Sequence, residues 1–201
     1  AYADLLADGL EVGRDYARAY ATAKRQAGAV DFDDLIGRAV ALLEQPGVGE
    51  WVRFKLDRET EHVLIDEAQD TNIAQWRIVR AIADEFFVGR GIHAPSTRTL
   101  FTVGDHKQAI FGFQGTDPVN FQAAERHFAA SADAVAGDDD WPEHERGLPF
   151  ERLSLNHSFR STTPILQFVD AALAQTGEPG LGAVLEAHAS EVPGPGEVVL
   201  W

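Results

Sequence analysis

Two adjacent acidic residues, Asp66 and Glu67, directly follow a short apolar run at residues 62–65. A strand holds such carboxylates rigidly at its end, so one of them can bind the Mg²⁺ that bridges the β- and γ-phosphates of a nucleotide. The other can accept a proton from the water that attacks the γ-phosphate. The pattern predicts a Walker B segment with Asp66 as Mg²⁺ ligand and Glu67 as general base. The bare pattern fits equally well two acids that only begin a turn, but the continuation Ala-Gln-Asp-Thr favours the Walker B interpretation.

A second polar cluster follows another apolar run, at residues 99–103. It begins with Gly104 and Asp105 and continues through Gln108 to two aromatic residues, which are Phe111 and Phe113. An aromatic face stacks on any base, so such residues can hold single-stranded DNA without reading its sequence. The alternative is that both phenylalanines are ordinary core residues.

A third cluster occupies residues 155–161 and contains Arg160. A guanidinium is always charged and matches the oxygens of a phosphate, so Arg160 could stabilise the charge that develops during phosphoryl transfer. Taken alone, an arginine in a loop is more simply a surface residue.

These three clusters, in this order, resemble motifs of the UvrD/Rep/RecB superfamily of DNA helicases. The DEAQD sequence at residues 66–70 is similar to the DExxD motif of that superfamily, and residues 103–115 are similar to its VGDxxQSIYxFRGA segment. Residues 155–161 resemble its LxxNYRS motif. The chain departs from these patterns at several positions, among them Phe111 for Tyr, Gln114 for Arg, Ser158 for Asn and Phe159 for Tyr.

The resemblance implies an ATP-dependent DNA helicase, in which ATP hydrolysis drives translocation on single-stranded DNA and unwinding of duplex DNA. It implies that ATP and Mg²⁺ are held by five residues, which are Asp66, Gln69, Asp70, Gln108 and Arg160. The catalytic residues would be Asp66, Glu67, Gln108 and Arg160, and the DNA-binding residues would be Phe111, Phe113 and Gln114. Gln69 and Gln108 would sense the γ-phosphate.

Within the superfamily, the chain most resembles the AddA subfamily of helicase–nuclease proteins in bacterial double-strand-break repair. The similarity includes the DFDDLI sequence at residues 31–36, residues 113–115 and residues 158–161. This subfamily implies a role in recombinational repair, and it implies that the partner is an AddB-like nuclease subunit.

The elements that must position these clusters are short apolar strands that alternate with amphipathic helices. Strands are predicted at residues 62–65, 99–103 and 153–155, and helices are predicted to begin after Asp31 and at Ile73, Pro118 and Thr163. This alternation predicts an α/β fold with a parallel sheet covered by helices on both faces. The segment from residue 177 to residue 196 is rich in Gly and Pro and is predicted to be loose.

The resemblance implies that this α/β fold is part of a RecA-like P-loop NTPase motor domain with an N-terminal helical portion. Three parts are expected, at residues 1–60 (helical), 61–152 (the Walker B half of the first motor domain, with an acidic loop near 131–151) and 153–201 (the crossing into the second motor domain).

Charge and composition limit how the chain can bind DNA and where it works. The formal net charge is −15, so a broad basic footprint is excluded and any DNA site must be a focused groove. Cysteine is absent, and no apolar run is long enough to span a membrane, which favours a cytoplasmic protein.

The chain is expected to be an internal piece of a longer protein, because it has no initiator methionine and residues 197–201 look like a strand that is cut off. It also contains no G-x-x-x-x-G-K-[S/T] sequence, so the fragment alone is expected not to hydrolyse ATP efficiently. The alternative function is a non-catalytic, helicase-derived binding or scaffold module.

Overall fold

The computed structural model of the chain describes residues 2–88, 98–105, 108–110, 112, 115–136, 142, 146–176 and 187–199. The helices and strands of these residues are α1 (Tyr2–Ala27), α2 (Phe32–Glu44), α3 (Val48–Glu59), β1 (His62–Ile65), α4 (Ile73–Ala83), β2 (Thr99–Thr102), α5 (Pro118–Ala136), β3 (His157–Thr162), α6 (Thr163–Thr176) and β4 (Ala189–Val192). Short 3₁₀ helices lie at Ala68–Asp70 and Asp84–Phe87. The prediction of an α/β fold with parallel strands is confirmed. None of the described helices is both long enough and apolar enough to cross a membrane.

The chain divides into two compact units, and the first combines Ala1–Thr60 with Ile73–Ala83. Its core lies among α2, α3 and α4, whose buried residues are Val40, Leu43, Gly49, Trp76 and Ala83. An ion pair also joins α4 to α2, with Arg77 Nε donating to Glu44 Oε1 at 2.8 Å. The helical character predicted for the first sixty residues is therefore confirmed.

Helix α2 begins where its capping residues predict. Asp31 Oδ1 accepts a hydrogen bond from the backbone N–H of Asp34 at 2.9 Å, and Asp34 Oδ2 accepts one from the N–H of Asp31 at 3.2 Å. This reciprocal pair is a capping box. Lys24 of α1 donates to both carboxylates at 2.7 Å, which joins α1 to α2.

The second unit combines Glu61–Asn72 with Asp84–Trp201. In it β1 and β2 pair in parallel, with His62 opposite Thr99 and Ile65 opposite Thr102. Both strands lie where the sequence predicts them, although β2 ends one residue early.

Helix α5 begins at Pro118 as predicted and buries Ala124 and Phe128. Helix α4 begins at Ile73 as predicted and ends at Ala83, after which Asp84–Phe87 forms a 3₁₀ helix. The tighter turn still buries Phe86, and it brings the rings of Phe87 and Phe128 to 5.9 Å between centroids.

The strand predicted at residues 153–155 is wrong. Leu153 and Leu155 are 77% and 89% exposed, and the strand in this region is β3, which starts two residues later. An apolar alternation becomes a strand only where a neighbouring strand supplies hydrogen bonds. Here the pairing with β4 begins at Asn156, whose carbonyl accepts from the N–H of Ala189 at 2.8 Å.

The segment predicted to be loose, residues 177–196, contains β4 in its described part, so that prediction is also wrong there. β3 and β4 run parallel, and Ser190 Oγ donates to the carbonyl of Ser161 at 2.7 Å. Arg160 therefore lies in a strand and not in a loop, while α6 begins at Thr163 as predicted.

The β1–β2 pair is not covered on both faces by the described residues. Leu64 and Phe101 are register partners on one face and are 74% and 52% exposed. Val63 and Ile65 point to the opposite face, where they are half-buried. The face that carries Leu64 and Phe101 is therefore open in the part of the chain that the structure describes.

Candidate active site

The ends of β1 and β2 remain joined beyond the last paired residues of the sheet. The N–H of Val103 donates to the carbonyl of Ile65 at 2.8 Å, and the N–H of Ala68 donates to the carbonyl of Val103 at 2.9 Å. Parallel strands have their carboxyl ends at one edge, which is where open α/β sheets bind ligands. The acidic pair and the loop at Gly104 therefore lie at the same edge.

Asp66 and Glu67 are both exposed at this edge. Asp66 Oδ1 accepts a hydrogen bond from the backbone N–H of Glu67 at 2.9 Å. Glu67 has φ 50° and ψ 44°, which is the left-handed helical region. Among the described residues other than glycine, it alone has a positive φ. Such strained conformations are typical of functional sites, where the surrounding structure must enforce them.

Gln69 lies directly behind the acidic pair and is only 3% exposed. Its Nε2 donates to Glu67 Oε2 at 2.6 Å, and its Oε1 accepts from the backbone N–H of Asp105 at 3.1 Å. The side-chain amide thus connects the loop after β1 with the loop after β2.

Gly104 makes room for that amide. A Cβ at this position would lie 2.9 Å from Oε1 of Gln69 and 3.0 Å from Cβ of Ala68. Any larger residue would have to displace the buried Gln69 side chain or the backbone next to it.

Gln108 is exposed and is held to Asp105 by two hydrogen bonds. Its backbone N–H donates to the carbonyl of Asp105 at 2.8 Å, and its Nε2 donates to Asp105 Oδ2 at 3.2 Å. The structure therefore connects four of the predicted site residues, Asp66, Glu67, Gln69 and Gln108, in one chain of hydrogen bonds that passes through Asp105.

Asp70 is half-buried, and its backbone N–H donates to the carbonyl of Glu67 at 2.9 Å. Its Oδ1 is buried and has no hydrogen-bond partner among the residues that the structure describes. The predicted site residue Asp70 thus lies next to the acidic pair, with one buried carboxylate oxygen that no described residue engages.

Arg160 is exposed on β3, and its guanidinium makes no hydrogen bond or ion pair with any described residue. Its backbone is fixed by Ser158, whose Oγ accepts from the N–H of Arg160 at 3.3 Å and from that of Ser161 at 3.2 Å. No contact in the described part of the chain joins the Arg160 side chain to Asp66 or Glu67. The three predicted DNA-binding residues, Phe111, Phe113 and Gln114, lie outside the described residues.

Sequence reasoning missed the roles of Gly104, Asp105 and Ser158. The available signal was the Gly-Asp pair directly after an apolar run, because glycine is common where another side chain approaches the backbone closely. Ser158 was noted only as a departure from a motif, although a serine hydroxyl can accept nearby backbone N–H groups.

The residues at this edge fit a Mg²⁺ ion that is held mostly by its nucleotide. In the described residues there is no group of three or more His, Cys, Asp or Glu side chains suited to a metal ion. Mg²⁺ bound to a nucleotide, however, usually needs only one or two carboxylates, since phosphates and water complete its shell. Asp66 is exposed, and its Oδ2 makes no hydrogen bond with a described residue.

An acidic pair at the carboxyl edge of parallel strands is an arrangement expected of a nucleotide-binding α/β domain. Residues 10–129 match the UvrD/REP helicase N-terminal domain. The chain therefore belongs to the UvrD/REP helicase family, and its fold is consistent with part of a RecA-like motor domain.

Relatives of two kinds resemble the chain to a similar degree. It is 33% identical over 183 residues to the ATP-dependent DNA helicase UvrD1 of Mycobacterium leprae, covering 87% of this chain and 20% of the relative. It is 32% identical to an ATP-dependent helicase/nuclease subunit of Exiguobacterium sibiricum, covering 85% of this chain and 12% of the relative. The corresponding protein of Lactobacillus helveticus is 34% identical, with 74% and 10% covered. The chain thus spans about a tenth to a fifth of the length of these relatives.

Proposed function

We propose that this chain forms the Walker B portion of an ATP-dependent DNA helicase, in which ATP hydrolysis drives movement on single-stranded DNA and unwinding of duplex DNA. The observation that carries the proposal is the hydrogen-bonded chain from Glu67 through Gln69 and Asp105 to Gln108. It joins an acidic pair suited to nucleotide hydrolysis to the segment that leads to the proposed DNA-binding residues. Family membership and the names of the relatives support the same activity.

In this proposal Asp66 and Glu67 have different roles in ATP hydrolysis. Asp66 contributes its free oxygen to Mg²⁺, which would neutralise charge on the β- and γ-phosphates. Glu67 orients the attacking water and accepts its proton. The exposed carboxylate of Glu67 has the solvent access that this role requires.

The remaining nucleotide contacts are assigned by the motifs. Gln108, at the exposed end of the hydrogen-bonded chain, is proposed to contact the γ-phosphate. Asp70 is proposed to support the Mg²⁺ site from its half-buried position beside the acidic pair. Arg160 is proposed to stabilise the transition state, and its exposed guanidinium, which no described residue engages, is free to do so.

The proposed DNA contacts are Phe111, Phe113 and Gln114, which follow Gln108 within six residues. Because the chain carries a net charge of −15, base stacking must contribute more to DNA affinity than phosphate contacts. The short separation from Gln108 offers a direct way to couple the state of the nucleotide to the hold on DNA.

We propose a role in recombinational double-strand-break repair, in which the partner is an AddB-like nuclease subunit, on the basis of the helicase/nuclease relatives. A DNA substrate favours a cytoplasmic location. The expected division at residues 1–60, 61–152 and 153–201 is kept as part of the proposal.

The DNA part of the proposal is tested with Phe113→Ala in the full-length protein. Loss of one stacked base costs about 1–3 kcal/mol, which corresponds to roughly 5- to 150-fold weaker binding of single-stranded DNA. DNA-stimulated ATPase should fall more than basal ATPase. Binding is measured by fluorescence anisotropy, both ATPase rates by phosphate release, and the melting temperature on the same sample.

Phe168→Ala is the matched control, since Phe168 is an exposed phenylalanine on α6 outside the three motifs. It should leave DNA affinity unchanged. If Phe113→Ala melts early while its DNA affinity per folded molecule stays at the wild-type value, Phe113 is a core residue and the stacking role is wrong.

A further inference from the structure

We propose that Gln69 is a positioning residue, which orients the Glu67 carboxylate for hydrolysis and couples it to the turn that carries Gln108. This inference rests on the proposed function. The motif resemblance implies that Gln69 senses the γ-phosphate, and we assign it instead a position behind the acidic pair, where it links Glu67 to Asp105.

The first support is the environment of the Gln69 amide. The side chain is 3% exposed, and both ends of its amide are engaged by protein atoms, Nε2 by Glu67 Oε2 and Oε1 by the N–H of Asp105. A group that contacts the γ-phosphate must reach the open edge of the sheet, where Asp66 and Glu67 are exposed. Gln69 is buried and both ends of its amide are engaged, so it presents no free group at that edge.

The second support is the conformation of Glu67. Its backbone is left-handed, with φ 50°, a conformation that is disfavoured for any residue with a Cβ. In the described part of the chain, the hydrogen bond from Gln69 is the only one that its carboxylate makes. Without that bond the exposed carboxylate would be free to rotate, and a general base must be held within hydrogen-bond reach of its water.

The third support is the continuity of the contacts beyond Gln69. The backbone N–H of Asp105 donates to Gln69 Oε1. The carbonyl and Oδ2 of Asp105 accept hydrogen bonds from Gln108 at 2.8 and 3.2 Å. Gly104 leaves the space that this arrangement requires, because a Cβ there would be 2.9 Å from Gln69 Oε1. A change at Gln108 on nucleotide binding would therefore reach Glu67 through a single buried side chain.

The test uses Gln69→Glu in the full-length protein. This change keeps the size of the side chain and an oxygen for the N–H of Asp105, but it places a second carboxylate oxygen against Glu67. A small displacement of a catalytic group can cost about 10²-fold in rate, so kcat for DNA-stimulated ATP hydrolysis should fall by about that factor while KM for ATP stays unchanged. The matched control is Gln167→Glu, which adds the same charge at an exposed position on α6 and should leave kcat at its wild-type value.

A double variant separates positioning from direct contact. If Gln69 acts only through Glu67, the variant Glu67→Gln/Gln69→Glu should turn over no more slowly than Glu67→Gln alone. A rise in KM for ATP with kcat retained, or rate losses that multiply in the double variant, would mean that Gln69 contacts the nucleotide itself, which overturns the inference.

A second variant covers the case in which a buried carboxylate prevents folding. Gln69→Leu removes both hydrogen bonds and introduces no buried charge, and it should show the same fall in kcat and the same lack of additivity. A lower melting temperature with wild-type kcat per folded molecule would mean that Gln69 only stabilises the fold, which also overturns the inference. If Glu67→Gln itself turns over normally, the proposed function fails and the inference fails with it. If Glu67→Gln loses activity as expected while Gln69→Leu keeps wild-type kcat, the inference alone fails.

Discussion

At the scale of single residues, the site depends on one side chain held in a strained conformation. Glu67 combines a left-handed backbone with an exposed carboxylate, and its neighbours enforce that conformation through Asp66 Oδ1 and the carbonyl contact to Asp70. Natural active sites often keep such strain because a relaxed backbone would direct the catalytic group elsewhere. The strain should be measurable as a cost in stability.

We predict that Glu67→Gly is more stable than Glu67→Ala. The left-handed conformation destabilises the folded state by roughly 1–2 kcal/mol for a residue with a Cβ, and glycine avoids this cost. Glycine is also more flexible in the unfolded chain, which lowers the stability of the glycine variant by about 0.4–1 kcal/mol. The free energy of unfolding in urea should therefore be about 1 kcal/mol higher for the glycine variant. Both variants remove the carboxylate equally.

The same pair of substitutions at Glu151 provides the control, because that exposed residue has no hydrogen bond with a described residue and no positive φ. There glycine should be the less stable variant. An alanine variant at Glu67 that is as stable as the glycine variant would contradict the strained conformation.

The acidic pair could be predicted from sequence because its position depends only on a local pattern, an apolar strand followed by two acids. The arrangement of Gln69 could not, because it depends on a contact with Asp105, which is 36 residues away. Likewise, the need for a glycine at position 104 can be recognised only when the loops after β1 and β2 are known to lie next to each other.

At the scale of elements, features set by residues close together in the sequence were again easier to predict than features set by strand pairing. The start of α2 was predictable because Asp31 and Asp34 cap it within four residues. β3 was not, since it pairs with β4, whose sequence Ala-Ser-Glu-Val has little strand character on its own. The apolar pattern at residues 153–155 indicated a strand, but no described strand pairs with it.

The connection between α1 and α2 gives a prediction about pH. The hydrogen bonds from the Lys24 ammonium and from the backbone N–H of Asp34 lower the pKa of Asp31 from 3.8 to about 2. The two carboxylates raise the pKa of Lys24 above its ordinary value. Asp31 therefore stabilises the fold fully above about pH 4 and loses this effect as the pH falls towards 2, whereas Lys24 keeps its contribution to beyond pH 10.

This prediction is tested with Asp31→Asn, which keeps a side-chain oxygen for the cap and removes the charge. The difference in melting temperature between wild type and variant should be constant from pH 5 to pH 9 and should shrink between pH 4 and pH 2. Asp33→Asn is the control, since Asp33 is exposed and lies in the same helical turn without a contact to Lys24. A difference that does not change with pH would show that Asp31 acts only as a cap.

At the scale of the whole molecule, the chain corresponds to a small part of each relative that it matches. The matched part covers 20% of one relative and 10% of another, and the apolar pair Leu64 and Phe101 is exposed on one face of the β1–β2 sheet. Exposed apolar residues that face each other across two strands usually mark a surface that another element covers. The negative net charge also agrees with a DNA site that is narrow and depends on stacking.

The central claim is that Asp66 and Glu67 form the hydrolytic centre of an ATP-driven helicase. Its most direct test is the DNA-stimulated ATPase of the full-length protein with Glu67→Gln, and with Glu151→Gln as the matched control outside the motifs. Because Asp66, the proposed Mg²⁺ ligand, is unchanged, the Glu67 variant should bind ATP with wild-type affinity, yet its kcat should fall by roughly 10²–10⁴-fold, as expected for loss of a positioned base. A Glu67→Gln enzyme that hydrolyses ATP at the wild-type rate, or a wild-type protein without DNA-stimulated ATPase, would contradict the account and favour a non-catalytic scaffold.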